Sequence, residues 1–348
     1  MTDDTDRRRP DGPRFVSARD VAELAGVSRS AVSRAFTPGA SVAPTTREKI
    51  IEAANRLGYQ VNDLARGLLA NRSRIVGLVA TRPEVGFRAL LTAALASVLI
   101  RRGSVPVLIT TGETLAETEA AQRTLFGHRA EAVIVLSGSP PSSFIELARA
   151  NGLPLVAIGR EAPGIDSVQT DNADAARRVA AAFVAAGHRR VAFAGSRSGT
   201  PSIVERERAF VAEARRLGAT VLVERGTDSD YAGGLIAAER LFAGEGPTAV
   251  FAVNDLVAFA VVDYVRTRLG RRVPQDVAVV GFDDLPEAEW LNYRLTTFRQ
   301  DPLDMAELAV GLLEDRTADP SAVPVQLRIA ARPVGRDTFR FEGGTLTP

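Results

Sequence analysis

The chain has 348 residues, 45% of them apolar, enough for two or three domains that each bury a core. It has no cysteine and only two isolated histidines, His128 and His188, so disulfides, thiolate metal sites and a histidine cluster are excluded, and each histidine is expected to be a buried structural one. Net charge is only +1, but residues 14–74 hold five more basic than acidic side chains and the chain beyond residue 74 is net acidic, which places any affinity for a polyanion in the N-terminal part.

Residues 1–14, rich in Asp, Arg and Pro, have almost nothing to bury and read as a disordered arm. The charged start is not followed by an apolar signal segment, and no apolar run is long enough to span a membrane, so a cytoplasmic protein is expected. Ser17 and Asp20 have capping-box spacing before an apolar stripe of Val21, Ala22, Leu24 and Ala25, which predicts a first helix. Gly26 suits the left-handed stop, and Ser28 can cap a second helix whose core positions are Ala31, Val32, Ala35 and Phe36. Arg29, Ser30, Ser33 and Arg34 fall on its other surface, where an N-terminal Arg can read a guanine edge in the major groove and Arg34 is better placed for a phosphate. Thr45 and Glu48 predict a second capping box and a third helix with the stripe Ile50, Ala53, Ala54 and Leu57, ended by Gly58. Residues 15–60 thus read as an all-α helix-turn-helix headpiece. Residues 61–73 follow as a marginal helix and linker, because Gly67 weakens a segment too short to be helical alone.

Beyond Arg74 short apolar runs alternate with helical stretches, the pattern of βαβ units and parallel sheets. The expected strands are Ile75 to Ala80, Val105 to Thr110, Ala132 to Leu136 and Leu155 to Ile158. After Gly187 the alternation restarts with Val191 to Ala194, Thr220 to Val223, Ala249 to Val253 and Val277 to Gly281, giving two α/β lobes. No glycine-rich phosphate loop opens any helix, so no nucleotide cofactor is expected. Such lobes bind ligands at the carboxyl ends of their strands. Asp171 and Asn172, Arg206, Asn254 and Asp255, and Asp283 and Asp284 fall there and suit a ligand with several hydroxyls or amides, although the same residues also serve as turn and helix caps. No nucleophile–base set is visible, and the adjacent Asp283 and Asp284 cannot flank a bond as separate acid and base. A non-enzyme is therefore expected.

The ordered motifs resemble the lactose/galactose repressor family of bacterial transcription regulators from about Val16 to Thr338. In the headpiece these are Asp20-Val21-Ala22, Ala25-Gly26-Val27-Ser28 and Val32-Ser33-Arg34; in the hinge, Leu57-Gly58-Tyr59, Asn62 and Ala65-Arg66-x-Leu68. In the core they are Asp171-Asn172, Gly187-His188-Arg189-Arg190, Arg206 with Phe210, Asn254-Asp255, Gly281-Phe282-Asp283-Asp284 and Leu295-Thr296-Thr297. The resemblance implies a periplasmic-binding-protein-like core of two doubly wound parallel-sheet lobes, with residues 74–187 and 300–320 in the N-terminal lobe, 188–299 and 321–340 in the C-terminal lobe, and 341–348 as a tail. It implies a homodimer on a pseudo-palindromic double-stranded operator, with DNA contacts from Ser17, Arg19, Ser28, Arg29, Ser30, Ser33 and Arg34 and, on a hinge helix that orders on DNA, from Asn62, Ala65, Arg66 and Leu68. An effector of sugar or polyol type would meet Arg206, Asn254 and Asp283, a Tyr231 placed against its sugar face, and more weakly Asp171. Two departures stand out. Arg82-Pro83-Glu84-Val85-Gly86-Phe87 replaces a polar or aromatic Pro-Phe segment after the first strand, and Pro302 replaces an aromatic near the last crossover. No leucine heptad follows Thr338, which argues against a coiled-coil tetramer. A two-lobed solute-binding protein and an α/β enzyme are the rival readings; the first lacks a headpiece and the second needs a catalytic set.

Overall fold

The computed structural model describes residues 16–37, 39–60, 73–111, 114–136, 142–161 and 163–341, and the chain divides into two units, one ending at Arg72 and the other beginning at Ser73. The first unit is a three-helix headpiece: α1 (Ala18–Ala25), α2 (Arg29–Ala35) and α3 (Pro44–Leu57). Ser17 and Asp20 form the reciprocal capping box at α1, and Gly26 ends that helix at φ 64°, a conformation that glycine takes without steric penalty. Ser28 accepts from the Ala31 amide at 3.2 Å and caps α2. Val21, Ala22, Val32, Ala35, Ile50, Ala53 and Ala54 make the buried core. Leu24, expected in the stripe, is 44% exposed, because the buried face of α1 runs through Val21 and Ala22, packed with the partly buried Ala18 and Ala25. The third helix also starts differently. Ala43 occupies the N-cap with no side-chain bond and Pro44 opens the helix, so the Thr45–Glu48 box does not form: a proline at the first position needs no amide partner.

The second unit begins with β1 (Ile75–Ala80), α4 (Phe87–Arg101), β2 (Val105–Thr110), α5 (Leu115–Gly127), β3 (Ala132–Val135), α6 (Ser142–Ala150), β4 (Leu155–Ile158) and β5 (Asp166–Thr170). There follow α7 (Asn172–Ala185), β6 (Arg190–Ser196), α8 (Pro201–Arg216), β7 (Thr220–Gly226), α9 (Tyr231–Leu241), β8 (Ala249–Ala252), α10 (Asp255–Asp263) and β9 (Ala278–Val280). The last elements are β10 (Thr297–Arg299), α11 (Pro302–Ala318), β11 (Gln326–Ile329) and β12 (Arg332–Val334). One parallel sheet has the order β11-β5-β4-β3-β1-β2, a second the order β7-β6-β8-β9, and β10 pairs antiparallel with β12. Strands such as β1, β3, β4 and β8 are buried along their whole length, as parallel strands covered on both faces must be.

Two lobe assignments change. Helix α7 carries Ala175, Ala176, Val179, Ala180 and Phe183 into the core of the second sheet, so the first crossover falls between Thr170 and Asn172 rather than at residue 187. Helix α11 packs its Met305, Ala306, Ala309 and Val310 in the first lobe as expected, but β11 then adds to the edge of the first sheet beside β5. The chain crosses back only between Ile329 and Arg332, so residues 321–329 belong to the N-terminal lobe. His188 is half-buried, its Nδ1 2.9 Å from Thr248 Oγ1, and its ring packs on Phe183. Burial lowers its pKa. His128 is exposed at the end of α5 and is not the buried histidine expected.

Candidate functional site

In the headpiece, Arg29, Ser30, Ser33 and Arg34 are exposed on α2, opposite the buried Val32 and Ala35. Ser28 divides its hydroxyl between capping and Ser30, whose Oγ lies 2.9 Å away. Arg19 is exposed and pairs with Glu23 at 3.0 Å, one turn along α1. Ser17 is half-buried, and its hydroxyl donates to Asp20 at 2.8 Å. Arg47 donates to the Ala35 and Ala40 carbonyls and braces α3 against the end of α2, which holds the exposed face of that helix in place. Asn62, Ala65, Arg66 and Leu68 lie outside the described residues.

In the second unit a cavity of about 100 Å³ opens where the strand order of both sheets reverses, beyond the carboxyl ends of β1, β6, β8 and β9. The first lobe contributes Val85 to Arg88, Ile158 and Thr170, and the second contributes Asn172, Ser202, Arg206, Ser229, Asn254 and Asp283. Of the five effector residues expected, Arg206, Asn254 and Asp283 line it together. Asp171 does not: its carboxylate caps α7 by accepting from the Asp174 amide at 2.9 Å, and Asn172 beside it reaches the cavity. Tyr231 does not either, because its hydroxyl donates to Asp263 Oδ2 at 2.7 Å on the flank of α10, where Tyr293 donates to the same oxygen at 3.0 Å. Burial, and then that contact, push the Tyr231 hydroxyl up to about 12.

Arg206 is a buried cation. Its guanidinium lies 3.9 Å over the Phe282 ring and donates to the Val253 carbonyl, and its Nε has no partner among the described residues. Burial lowers its pKa to about 10, with Asp283 opposing that shift. Asp283 is pushed up to about 6 by burial, against the pull of Arg206, the Gln300 hydrogen bond and Arg88. The backbone presents it unusually: Asp283 and Asp284 take φ values of 125° and 60°, a conformation that L residues adopt only when the surroundings compel it. Asp284 is held by Arg299 at 2.6 Å and Arg336 at 2.7 Å and does not line the cavity. Beneath them Asp255 is fully buried, accepts from the Leu285 amide at 2.8 Å and the Thr297 hydroxyl at 2.6 Å, and is raised to about 8 by burial and then by Asp283. Gly281 makes room for it, since a Cβ there would lie 2.3 Å from Asp255 Oδ1. Asn254 does two jobs at once: it caps α10 through the Val257 amide at 2.9 Å, its amide donates to the Ser229 carbonyl at 2.8 Å, and it still borders the cavity.

Several bonds join the lobes around this space. Thr170 donates to Gln300 Oε1 at 2.6 Å, and the Gln300 amide donates to Asp283 Oδ1 at 2.7 Å. Arg82, after β1, pairs with Asp228 and, at 3.3 Å, with Asp230. Arg328 on β11 bridges Glu161 at 2.7 Å and Glu205 of α8 at 2.9 Å. Arg88, Gln300, Arg82 and Arg328 were not singled out as site residues from sequence. Only the departure of residues 82–87 from the family pattern pointed toward that corner.

Residues 17–62 match the model of the bacterial regulatory proteins of the lacI family, and residues 180–339 match that of a periplasmic binding protein-like domain. The regulator CelR of Thermobifida fusca is 33% identical over 336 residues, covering 92% of this chain and 96% of that protein. The chain belongs to the lacI family of bacterial regulatory proteins. It is a DNA-binding transcriptional regulator controlled by a small-molecule effector, not an enzyme, and its headpiece and two-lobed core are the two halves of that task. Among solved structures, a CelR–cellobiose complex superposes with a TM-score of 0.70 at 30% identity, covering 93% of this chain and all of that one. A lac repressor dimer bound to operator and the anti-inducer ONPF gives 0.83 at 25% identity, covering 93% and 99%. Among the described residues no helix is long and apolar enough to cross a membrane.

Proposed function

We propose that the chain is a cytoplasmic repressor that binds a pseudo-palindromic operator as a homodimer and releases or grips it according to a hydroxylated effector of sugar or polyol type held between the lobes. The observation that carries this reading is the meeting of Arg206, Asn254 and Asp283 in one cavity bordered by both lobes. Each of them offers a charged or amide group, and a polyol can satisfy such groups from several directions. The lac repressor dimer on its operator and the cellobiose complex of CelR support the same arrangement. Arg29, Ser30, Ser33 and Arg34 read the major groove, Arg19 and Ser28 meet the backbone, and Ser17 acts chiefly by capping. Asn62, Ala65, Arg66 and Leu68 add further DNA contacts, with Leu68 wedging into the minor groove. The test is footprinting of genomic fragments at rising salt, with and without a panel of sugars. A protected two-fold site that weakens with salt, and that one sugar class shifts, is expected. Asp283→Asn is expected to keep the footprint and lose the shift; a retained shift would remove Asp283 from the effector's contacts.

A further inference from the structure

The first-lobe side of the cavity has an electrostatic character that a neutral ligand does not use. Helix α4 begins at this wall. Gly86 takes its N-cap position with no side-chain capping bond, and its first turn holds no acidic residue. An uncapped helix N-terminus presents free amides and partial positive charge, which attract anions. Its second residue is Arg88, so a full cation is added where the helix dipole already disfavours one. Arg88 donates to the Thr81 carbonyl at 2.8 Å, and no carboxylate among the described residues lies within ion-pair distance of it. Burial accordingly lowers its pKa, Asp228 being the largest opposing influence. Asp228 is already engaged by Arg82 and by the Ser229 amide at 2.7 Å.

On the facing wall stands Arg206, 5% exposed, and beside it Asn172, 2% exposed, the Nε of the one and the Oδ1 of the other having no partner among the described residues. Two guanidiniums therefore line a cavity whose one lining carboxylate is Asp283, itself raised to about 6. The balance is positive by one charge when Asp283 is ionised and by two when it is protonated.

We propose that the effector is a hydroxylated acid, whose carboxylate or phosphate monoester pairs with Arg88 and the first amides of α4 while its hydroxyls meet Arg206, Asn172 and Asp283. This rests on the reading of the cavity as the effector site and narrows its ligand class. The acidic group adds a close anionic partner to the longer-range pull that Asp228, Glu84 and Asp283 exert on Arg88, whereas a neutral sugar leaves that half-buried cation without one.

The experiment uses the full-length protein with matched probes: glucose and galactose, their gluconate, galactonate and galacturonate relatives, and glucose 6-phosphate and galactose 6-phosphate. Thermal melting and operator retention are followed together, since a ligand of the folded state raises the melting temperature. At least one acid is expected to raise melting and change operator retention while its neutral parent does neither, and the responding arm tells carboxylate from phosphate. Arg88→Gln is expected to weaken that acid roughly tenfold to a hundredfold, the range for losing hydrogen bonds to a charged group. Arg88→Lys is expected to recover part of the loss. A neutral sugar that acts as well as its acids, or an acid whose affinity is unchanged in Arg88→Gln, overturns the inference and leaves the effector site standing. Should Arg88→Gln fail to fold, the comparison of acid with neutral parent in the unaltered protein decides alone. Silence of every probe in both readouts counts against the inference and the sugar-type reading together.

Discussion

Ile50 and Ile51 are neighbours on α3 with opposite fates, and the pair tests whether the headpiece depends on its small core. Ile50 is fully buried among Val21, Val32, Ala35 and Ala54, whereas Ile51 is 42% exposed. Replacing Ile50 with Ala removes three methyl or methylene groups, about 2.4 kcal/mol by transfer alone, and with the cavity left behind about 2–5 kcal/mol. A unit of roughly 45 residues has about 2–7 kcal/mol in all at typical stability per residue. Ile50→Ala therefore removes a large share of it, and a headpiece left ~2 kcal/mol beyond its midpoint is folded only about 3% of the time, which lowers apparent operator affinity in proportion. The assay is limited proteolysis of the full chain with operator gel shifts at 25 and 37 °C. Ile50→Ala should be cut early within residues 16–60 and lose the shift, while Ile51→Ala stays within about 0.5 kcal/mol of the parent in stability. Equal protease resistance and equal operator affinity in Ile50→Ala and the parent would refute the reasoning.

Other outcomes follow from particular side chains. Arg29→Ala should relax base preference at one position per half-site at a loss of about 1–3 kcal/mol, whereas Arg66→Ala should weaken all sequences alike; selection from a randomised operator library separates the two. Tyr231→Phe should leave effector affinity unchanged, because the hydroxyl is spent on Asp263 outside the cavity, and a calorimetric titration with whichever ligand is found checks this. Asp255 has a folded pKa of about 8 against 3.8 in the unfolded chain. Between those values the folded state holds the extra proton, so this group's stabilisation is complete below pH ~4 and is lost as pH rises toward 8. Asp255→Asn, which can keep a hydrogen bond to both Leu285 and Thr297, should flatten that decline in melts from pH 5 to 9; an unchanged slope would remove Asp255 as its source.

The long buried strands were legible because a parallel strand covered on both faces is apolar throughout, as β1, β3 and β8 are. The headpiece was legible because caps and periodicity agree in Ser17, Gly26, Ser28 and Gly58. The strands β10, β11 and β12 escaped notice because they are three or four residues long, and β11 alternates between exposed and half-buried residues. The lobe boundary at Thr170 carries no glycine or proline to mark it, whereas Gly187, where the boundary was expected, ends a helix instead. In the cavity, a strand-end acid and amide pointed to Asp283 and Asn254, and the Gly/Ser/Thr loop before α8 pointed to Arg206. They missed Arg88, which sits one residue inside a helix rather than at a strand end.

What joins these residues is the way the crossovers meet the ligand space. Thr170 stands at the first crossover and Gln300 at the second, and through Gln300 both are tied to Asp283, which belongs to the second lobe and lines the cavity. A ligand can shift an equilibrium between lobe arrangements only by the difference in its affinity for them. Asp283 is where such a difference can arise, because its carboxylate serves both the crossover amide of Gln300 and the cavity. A hydroxyl that takes up the carboxylate changes the strength of the Thr170–Gln300–Asp283 chain in the same event. The Arg82–Asp228 and Arg328–Glu205 pairs, half-exposed and screened by salt, hold the lobes by smaller amounts than this part-buried chain.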